Sequence, residues 1–131
     1  MTREELRVEG LPEPISHYTD AVRAGELLFV SGIVAVDARG ELVGGSDVVA
    51  QAEQVFALLG RVLDAAGAGP ADVVKVTVYL IDIDDRPRIN PVRQRFFGAA
   101  RPASTLVEVS GLAVAGARLE VEAVALLDDG R

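Results

Sequence analysis

The sequence has 131 residues, half of them apolar and a quarter charged, so we expect one soluble globular domain over residues 1–131. No apolar run reaches the roughly 18 residues of a membrane span, and no basic-then-apolar leader opens the chain, so we expect a cytoplasmic location and no membrane partner. The absence of cysteine excludes disulfides and thiolate chemistry. Because 20 acidic residues outweigh 13 basic ones, giving a net charge of −7, nucleic acid is not an expected partner.

The first part of the chain predicts an arm followed by a hairpin. Residues 1–14 are charged and contain prolines, so we expect an N-terminal arm that either docks onto the domain or frays. Tyr18–Ala24 and Leu27–Ser31 have the composition of two short strands. Gly25-Glu26 between them predicts a tight turn, because glycine readily adopts a positive φ.

The clearest helical pattern runs from residue 46 to residue 67. Ser46 or Asp47 can cap its start, and Gly67 ends it ahead of Pro70. Apolar side chains recur at helical spacing, which predicts that one face of the helix lies on a sheet. These side chains are Val48, Ala52, Val55, Leu59, Val62 and Ala66.

The segment "DVVKVTVYLIDI" that follows predicts a strand with two different faces. Alternation places four apolar side chains on one face, those of Val74, Val76, Val78 and Leu80. The other face is half polar, which is not typical of a buried core, and carries Lys75, Thr77 and Tyr79.

A shorter helix and two strands complete the chain. Asp84 or Asp85 can cap this second helix, and its pattern continues through Phe96. The final strands are predicted over Ala103–Val109 and Arg118–Leu127.

The predicted order of elements is therefore β-β-α-β-α-β-β. This order favours the α+β class, with two helices covering one face of a mixed sheet. The second sheet face mixes charged and apolar side chains, so it is too polar for a core and too apolar for water. We expect that face to contact another subunit.

An ordered series of motifs resembles the RidA/YjgF superfamily. The series is "ISHYTDAVRAGELLFVSG", "AAGAG", "VVKVTVYLIDI", "IN" before "RFF", "RPASTLVEV" and "LEVEAVA". The resemblance implies a fold similar to chorismate mutase, assembled as a homotrimer with small-molecule sites at the subunit interfaces. It also implies hydrolysis of reactive enamines and imines to keto acids and ammonia, without a metal or an organic cofactor.

The same resemblance indicates candidate site residues and three departures from the family pattern. The matching positions are those of Tyr18, Ser31, Gly32, Asn90 and Glu120. The departures are Ser104, where the archetype has an arginine that pairs with the substrate carboxylate, Ile33 where it has glutamine, and His17 where a small residue or proline is common.

Glu120 is the best candidate for a base or a water-orienting group in such a hydrolysis. Glu122 and Arg118 are predicted on the same strand face, and the like charge of Glu122 can raise the pKa of Glu120. The alternative is a structural role, in which both carboxylates pair with Arg118 or with Lys75 across the sheet.

Each of the other candidate residues also has two interpretations. Tyr18 can stack on a planar substrate or be an ordinary strand aromatic, and Asn90 can contact ligand or cap the second helix. Ser31 and Gly32 can give a ligand access to the backbone or simply end a strand. The lone His17 suits proton transfer but is usually solvated in a loop, and the hydroxyls of Ser104 and Thr105 are more typical of hydrogen bonding than of nucleophilic attack.

Ser104 bears most directly on the substrate. A serine replaces neither the charge nor the bidentate geometry of a guanidinium, although Arg101, Arg118 or an arginine of a neighbouring subunit could substitute. From this position, with the net charge of −7 as an additional bias, we expect a less anionic or larger substrate than a simple 2-imino acid.

The sequence thus supports a divergent enamine/imine deaminase that works through Glu120 and Tyr18. The alternative is a trimer that binds a small metabolite without turning it over and serves a regulatory or stress role. A third hypothesis, nuclease activity, is disfavoured by the acidic charge balance.

Overall fold

The computed structural model describes residues 2–128, which form a six-stranded sheet and two helices. The strands are β1 Arg3–Leu6, β2 Ala21–Ala24, β3 Leu27–Ile33, β4 Val73–Leu80, β5 Ala103–Glu108 and β6 Leu119–Leu126. The helices are α1 Val48–Ala65 and α2 Arg86–Phe97, with 3-10 turns at Pro70–Asp72 and Ile83–Asp85. The strand order is β1-β2-β3-β6-β4-β5, and only the β4–β5 pair is parallel. The predicted α+β class and mixed sheet are confirmed.

The N-terminal arm docks onto the sheet and contributes β1, a strand that the sequence analysis did not predict. Its four residues, "REEL", are mostly polar and exposed, so no alternation of apolar residues indicates a strand. The arm is held by the buried carboxylate of Asp20, which accepts hydrogen bonds from Val8 N at 2.7 Å and Arg7 Nε at 3.1 Å. The observed order is therefore β-β-β-α-β-α-β-β.

The first predicted hairpin is present with shifted ends. The strand predicted from Tyr18 begins only at Ala21, so the interpretation of Tyr18 as a strand aromatic is wrong. Tyr18 instead lies in a turn, where its backbone N–H donates to Ser16 O at 3.2 Å. The partner strand continues past Ser31 to Ile33, which brings Ser31 and Gly32 inside β3.

Helix α1 begins as predicted. The side chain of Asp47 accepts hydrogen bonds from Val49 N at 2.9 Å and Ala50 N at 3.3 Å, and Gly67 follows the helix with φ of 79°. Helix α2 begins differently, because Asp85 occupies the capping position without a side-chain capping bond. Neither helix in the described part of the chain is long and apolar enough to cross a membrane.

The predicted faces of β4 are correct except at the start of the strand. The β4–β6 register shifts between Val73 and Lys75, which indicates a β-bulge there. The bulge buries Val73 and leaves Val74 exposed, so the prediction that Val74 shares the buried face of Val76 is wrong.

The sheet face opposite α1 has a mixed polar and apolar surface, which we call the open sheet face. Alternation in β3, β4 and β6 directs the following side chains onto it: Leu27, Phe29, Lys75, Thr77, Tyr79, Glu120, Glu122, Val124 and Leu126. Phe29 is 45% exposed and Leu126 is 49% exposed. Within residues 2–128 no helix covers this face, and its contact with another subunit stays a prediction.

A buried polar cluster joins both helices to the start of β6. Asp85, only 1% exposed, accepts two hydrogen bonds from Arg118, from Nη2 at 2.8 Å and Nε at 3.1 Å. Buried Gln51 of α1 accepts from Arg118 N at 2.8 Å and donates to Gly45 O and Gly116 O. These bonds fix the backbone immediately before β6, the strand that carries Glu120.

We expect Asp85→Ala to lower the free energy of unfolding by about 2–4 kcal/mol, because the Arg118 guanidinium would lose its buried counter-ion. The measurement is urea denaturation of both proteins. Arg88→Ala is the control, since exposed Arg88 lies 3.6 Å from the other Asp85 oxygen, and it should cost less than about 1 kcal/mol. Equal costs for the two substitutions would contradict the importance of the Asp85–Arg118 pair.

Candidate functional site

A cleft of about 330 Å³ opens between the loop before β2, the middle of β3 and the start of β6. This volume is at the lower end of the range for small-molecule sites, roughly 300–1,000 Å³. Its lining combines apolar and polar side chains, contributed by Ile15, Ser16, Tyr18, Ser31, Gly32, Val34, Ala113, Val114 and Glu120. Four of the predicted site residues, Tyr18, Ser31, Gly32 and Glu120, are thus brought together.

A β-bulge shapes the floor of this cleft. Val30 pairs with Ala123 and Ile33 pairs with Val121, so three steps along β3 match two along β6. The extra residue places Ser31 and Gly32 at the cleft while Ile33 turns into the core, where it is 6% exposed. Ile33, one of the departures from the family pattern, is therefore a core residue.

Gly32 leaves room for the Glu120 carboxylate. A Cβ atom added at Gly32 would overlap Glu120 Oε2, so a larger residue would displace the carboxylate from its place beside the β3 backbone. Glu120 is partly buried, and burial raises its pKa, with a further increase from the negative charge of Glu122. A carboxylate with a raised pKa in a cleft is a candidate for proton exchange with a bound molecule.

The ion pairs with Arg118 or Lys75 that the structural alternative predicted for the two carboxylates are absent from residues 2–128. Within residues 2–128 neither Glu120 nor Glu122 forms an ion pair, since Arg118 binds Asp85 and the nearby Lys75 Nζ donates to Thr105 Oγ1 at 2.6 Å. Glu122 instead accepts a hydrogen bond from the hydroxyl of Tyr79. That bond, followed by burial, raises the pKa of Tyr79.

Tyr18 and Ser31 form one wall of the cleft. Tyr18 is 47% exposed, and its hydroxyl oxygen accepts a hydrogen bond from Ile15 N at 3.4 Å. Ser31 Oγ donates to Thr19 O at 2.6 Å, which fixes the rotamer and leaves the oxygen lone pairs free to accept. A planar molecule can therefore stack on the Tyr18 ring, with the polar side chains of Ser31 and Glu120 in the same cleft.

His17 does not line this cleft. Its exposed side chain borders an adjoining groove together with Arg3 and Glu5. Tyr18 and Ser31 line both the groove and the cleft, whereas Glu120 lines only the cleft.

The remaining predicted residues lie elsewhere, on α2 and β5. Asn90 is exposed and is the fifth residue of α2, so the interpretation as a helix cap is wrong. Ser104 pairs with buried Val76 and so faces the helix side of the sheet, whereas Thr105 pairs with Thr77 on the open sheet face. In a single chain these residues do not share the cleft of Glu120.

The sequence analysis missed Arg93, whose Nη2 donates to Ser104 Oγ at 2.8 Å. Arg93 follows Asn90 by three residues, a spacing that places both on one face of a helix. That spacing was the available signal, but nothing in the sequence shows which strand this helix face approaches. Arg118, by contrast, is already bound by Asp85 and is not free to replace the arginine expected at position 104.

Residues 2–128 contain no cluster of three or more histidine and acidic side chains arranged to hold a metal ion.

The comparisons with known proteins agree with one another. The sequence model of the family described as Endoribonuclease L-PSP matches residues 9–127. A RutC family protein of Pyrococcus horikoshii is 40% identical over 124 residues, which cover 94% of this chain and 97% of the relative. The 2-iminobutanoate/2-iminopropanoate deaminase of Capra hircus is 35% identical over 127 residues, covering 96% and 91%.

The fold is also shared with solved structures. The crystal structure of RidA from the Antarctic bacterium Psychrobacter sp. PAMC 21119 matches with a TM-score of 0.88 and 31% identity, covering 95% of this chain and 99% of that one. The sheet order and the two helices thus define a small α+β protein of the YjgF-like class. The chain belongs to the RidA/YjgF superfamily, whose members include proteins named as imine deaminases.

We expect Glu122→Gln to lower the pKa of Glu120, because the substitution removes the like charge that disfavours ionisation. Glutamine keeps an oxygen that can accept from Tyr79, so the fold should be retained. The measurement is a ¹³C NMR titration of the side-chain carboxyl of Glu120 in both proteins. An unchanged or higher pKa in the variant would show that Glu122 does not act on Glu120.

Proposed function

We propose that this protein is an enamine/imine deaminase that hydrolyses a reactive C=N intermediate to a carbonyl compound and ammonia. The observation that carries the proposal is the Glu120 carboxylate, which lies in a cleft, is unpaired within residues 2–128 and has a pKa raised by burial. The names of relatives such as the Capra hircus deaminase support the same reaction class.

The proposed reaction needs water and no other reactant. Glu120 accepts a proton as the water oxygen forms a bond to the imine carbon, and the C=N electron pair moves to nitrogen. The proton then passes from the carboxyl group to the nitrogen, which gives the neutral carbinolamine. Glu120 next accepts the hydroxyl proton and delivers it to the amino nitrogen, so the C–N bond breaks, ammonia leaves and the hydroxyl becomes a carbonyl. Imine and water thus give ketone or aldehyde and ammonia, and Glu120 returns to its starting state.

The other residues of the cleft orient the substrate in this proposal. The Tyr18 ring offers a stacking surface for the conjugated C=N group, and the Ser31 oxygen can accept a hydrogen bond from an N–H of the substrate. Because Gly32 has no side chain, the Glu120 carboxylate can lie beside the β3 backbone, from where it approaches the reacting carbon.

We further propose that the protein acts as a homotrimer, with its substrate sites at the subunit interfaces. Support comes from the open sheet face, whose exposed Phe29 and Leu126 form part of an apolar surface that water disfavours. The separation of Glu120 from Asn90 and Ser104 within one chain also supports a site that two subunits complete together. We do not propose the endoribonuclease activity that the family description names, because a net charge of −7 disfavours phosphate binding.

We expect Glu120→Gln to reduce kcat for imine hydrolysis by about 100-fold or more, since the amide cannot accept the proton. The substrate is generated in situ from an amino acid by an amino-acid oxidase. Turnover is measured as the decrease in semicarbazone when semicarbazide competes for the imine.

Glu122→Gln is the matched control for that experiment and should keep turnover within a few-fold at neutral pH. Because the Glu122→Gln substitution lowers the pKa of Glu120, the pH below which activity falls should be lower in this variant than in the native protein. Unchanged turnover in Glu120→Gln would remove Glu120 from the mechanism. A ligand that binds the native protein but is recovered intact would support the alternative of a binding protein.

We expect Phe29→Glu to dissociate the trimer into single chains, because it places a charge in the apolar part of the open sheet face. The measurement is native mass spectrometry at micromolar concentration. Ile83→Glu is the control, since Ile83 is similarly exposed at 43% but lies in a 3-10 turn outside the sheet. An intact trimer in Phe29→Glu would place the subunit interface elsewhere.

A further inference from the structure

Arg93 and Ser104 form a side-chain pair at the outer edge of the sheet. Strand β5 is the last strand of the sheet, and Ser104 projects from it toward the helix side, where α2 presents Arg93. The 2.8 Å bond from Nη2 to Ser104 Oγ uses one of the five N–H donors of the guanidinium. Ser104 therefore holds the guanidinium in one orientation.

Arg93 differs from the other arginines of α2 because it is the one that is partly buried, whereas Arg86, Arg88 and Arg95 are exposed. Arg88 pairs with Asp85 at 3.6 Å, and Arg95 pairs with Glu53 at 3.5 Å. Among the side chains of residues 2–128, Arg93 has only the neutral hydroxyl of Ser104 as a hydrogen-bond partner and no ion pair. It is nevertheless partly buried, and burial lowers its pKa because removal from water disfavours the charged guanidinium.

A partly buried guanidinium without a counter-ion is suited to bind an anion from outside the chain. Its free donors match the two oxygens of a carboxylate, and this bidentate geometry fixes orientation as well as charge. The exposed Asn90 lies one helical turn earlier on the same face of α2 and adds an amide that can donate to the same ligand.

We propose that Arg93, oriented by Ser104, binds the carboxylate of the substrate, so that the substrates are imines or enamines that carry a carboxylate. The inference rests on the proposed function and names its substrate class. It replaces the expectation of a less anionic substrate, which depended on Ser104 and on the net charge of −7. Helix α2 supplies the guanidinium that β5 lacks. The site is completed when the edge of one subunit formed by α2 and β5 contacts the Glu120 cleft of the next subunit.

The test compares two imines that differ in the carboxylate. One is the 2-imino acid generated from an amino acid by an amino-acid oxidase, and the other is the carboxylate-free imine generated from a primary amine by an amine oxidase. We expect Arg93→Gln to raise KM for the 2-imino acid by about tenfold or more, the loss expected for one charge-assisted pair. Hydrolysis of the carboxylate-free imine should change by less than about twofold.

Two further variants sharpen the result. Arg95→Gln removes an exposed arginine from the same helix and should leave KM for both imines unchanged. Arg93→Gln combined with Ser104→Arg returns a guanidinium from β5 and should recover most of the lost affinity. Equal KM values for Arg93→Gln and Arg95→Gln with the 2-imino acid would overturn the proposal, as would a loss in Arg93→Gln that is equally large for both imines.

A binding measurement separates this inference from the proposed function. Calorimetric titration with 2-oxobutanoate, a stable keto acid, reports on the carboxylate site without requiring turnover. If the native protein binds 2-oxobutanoate and Arg93→Gln binds it at least about tenfold more weakly, the anchor is supported even where no imine is hydrolysed. If Arg93→Gln binds 2-oxobutanoate as tightly as the native protein does, Arg93 is not the anchor, even where imine hydrolysis is observed. Native mass spectrometry of Arg93→Gln confirms that any loss of binding does not come from dissociation.

Discussion

The buried contact between Asp85 and Arg118 positions the strand on which the candidate site depends. Arg118 immediately precedes β6, the strand that lies between β3 and β4 and is hydrogen-bonded to both. Because Asp85 immediately precedes α2 and Gln51 binds the Arg118 backbone from α1, the start of β6 is held between both helices. Glu120 is two residues further along, so its place beside Gly32 follows from this cluster.

The candidate site combines a rigid strand with a local irregularity. The bulge in β3 places both Ser31 and Gly32 at the cleft. The missing side chain at Gly32 leaves the space that the Glu120 carboxylate occupies. Partial burial then disfavours the charged form of Glu120. In a subunit assembly that covers the open sheet face, this desolvation would increase, so assembly and proton affinity are linked in the proposed mechanism.

The distribution of charge on α2 bears on the substrate. Two of its arginines are neutralised by carboxylates of this chain, whereas Arg93 is directed by Ser104 toward the free edge of β5. In the proposed mechanism, Arg93 of α2 therefore replaces the arginine that β5 lacks at position 104.

The sequence by itself determined the elements whose periodicity is strong, namely α1 and the alternating strands β4 and β6, and it left the cap of α1 open between Ser46 and Asp47. It could not reveal β1, whose polar residues pair with β2 while Asp20 holds the arm, or the bulge that turns Val74 outward. It also named Glu120 and Gly32 but not Arg93. Periodicity specifies which side chains share a face, whereas the contact between Arg93 and Ser104 depends on how a helix packs against a strand, which only the tertiary structure decides.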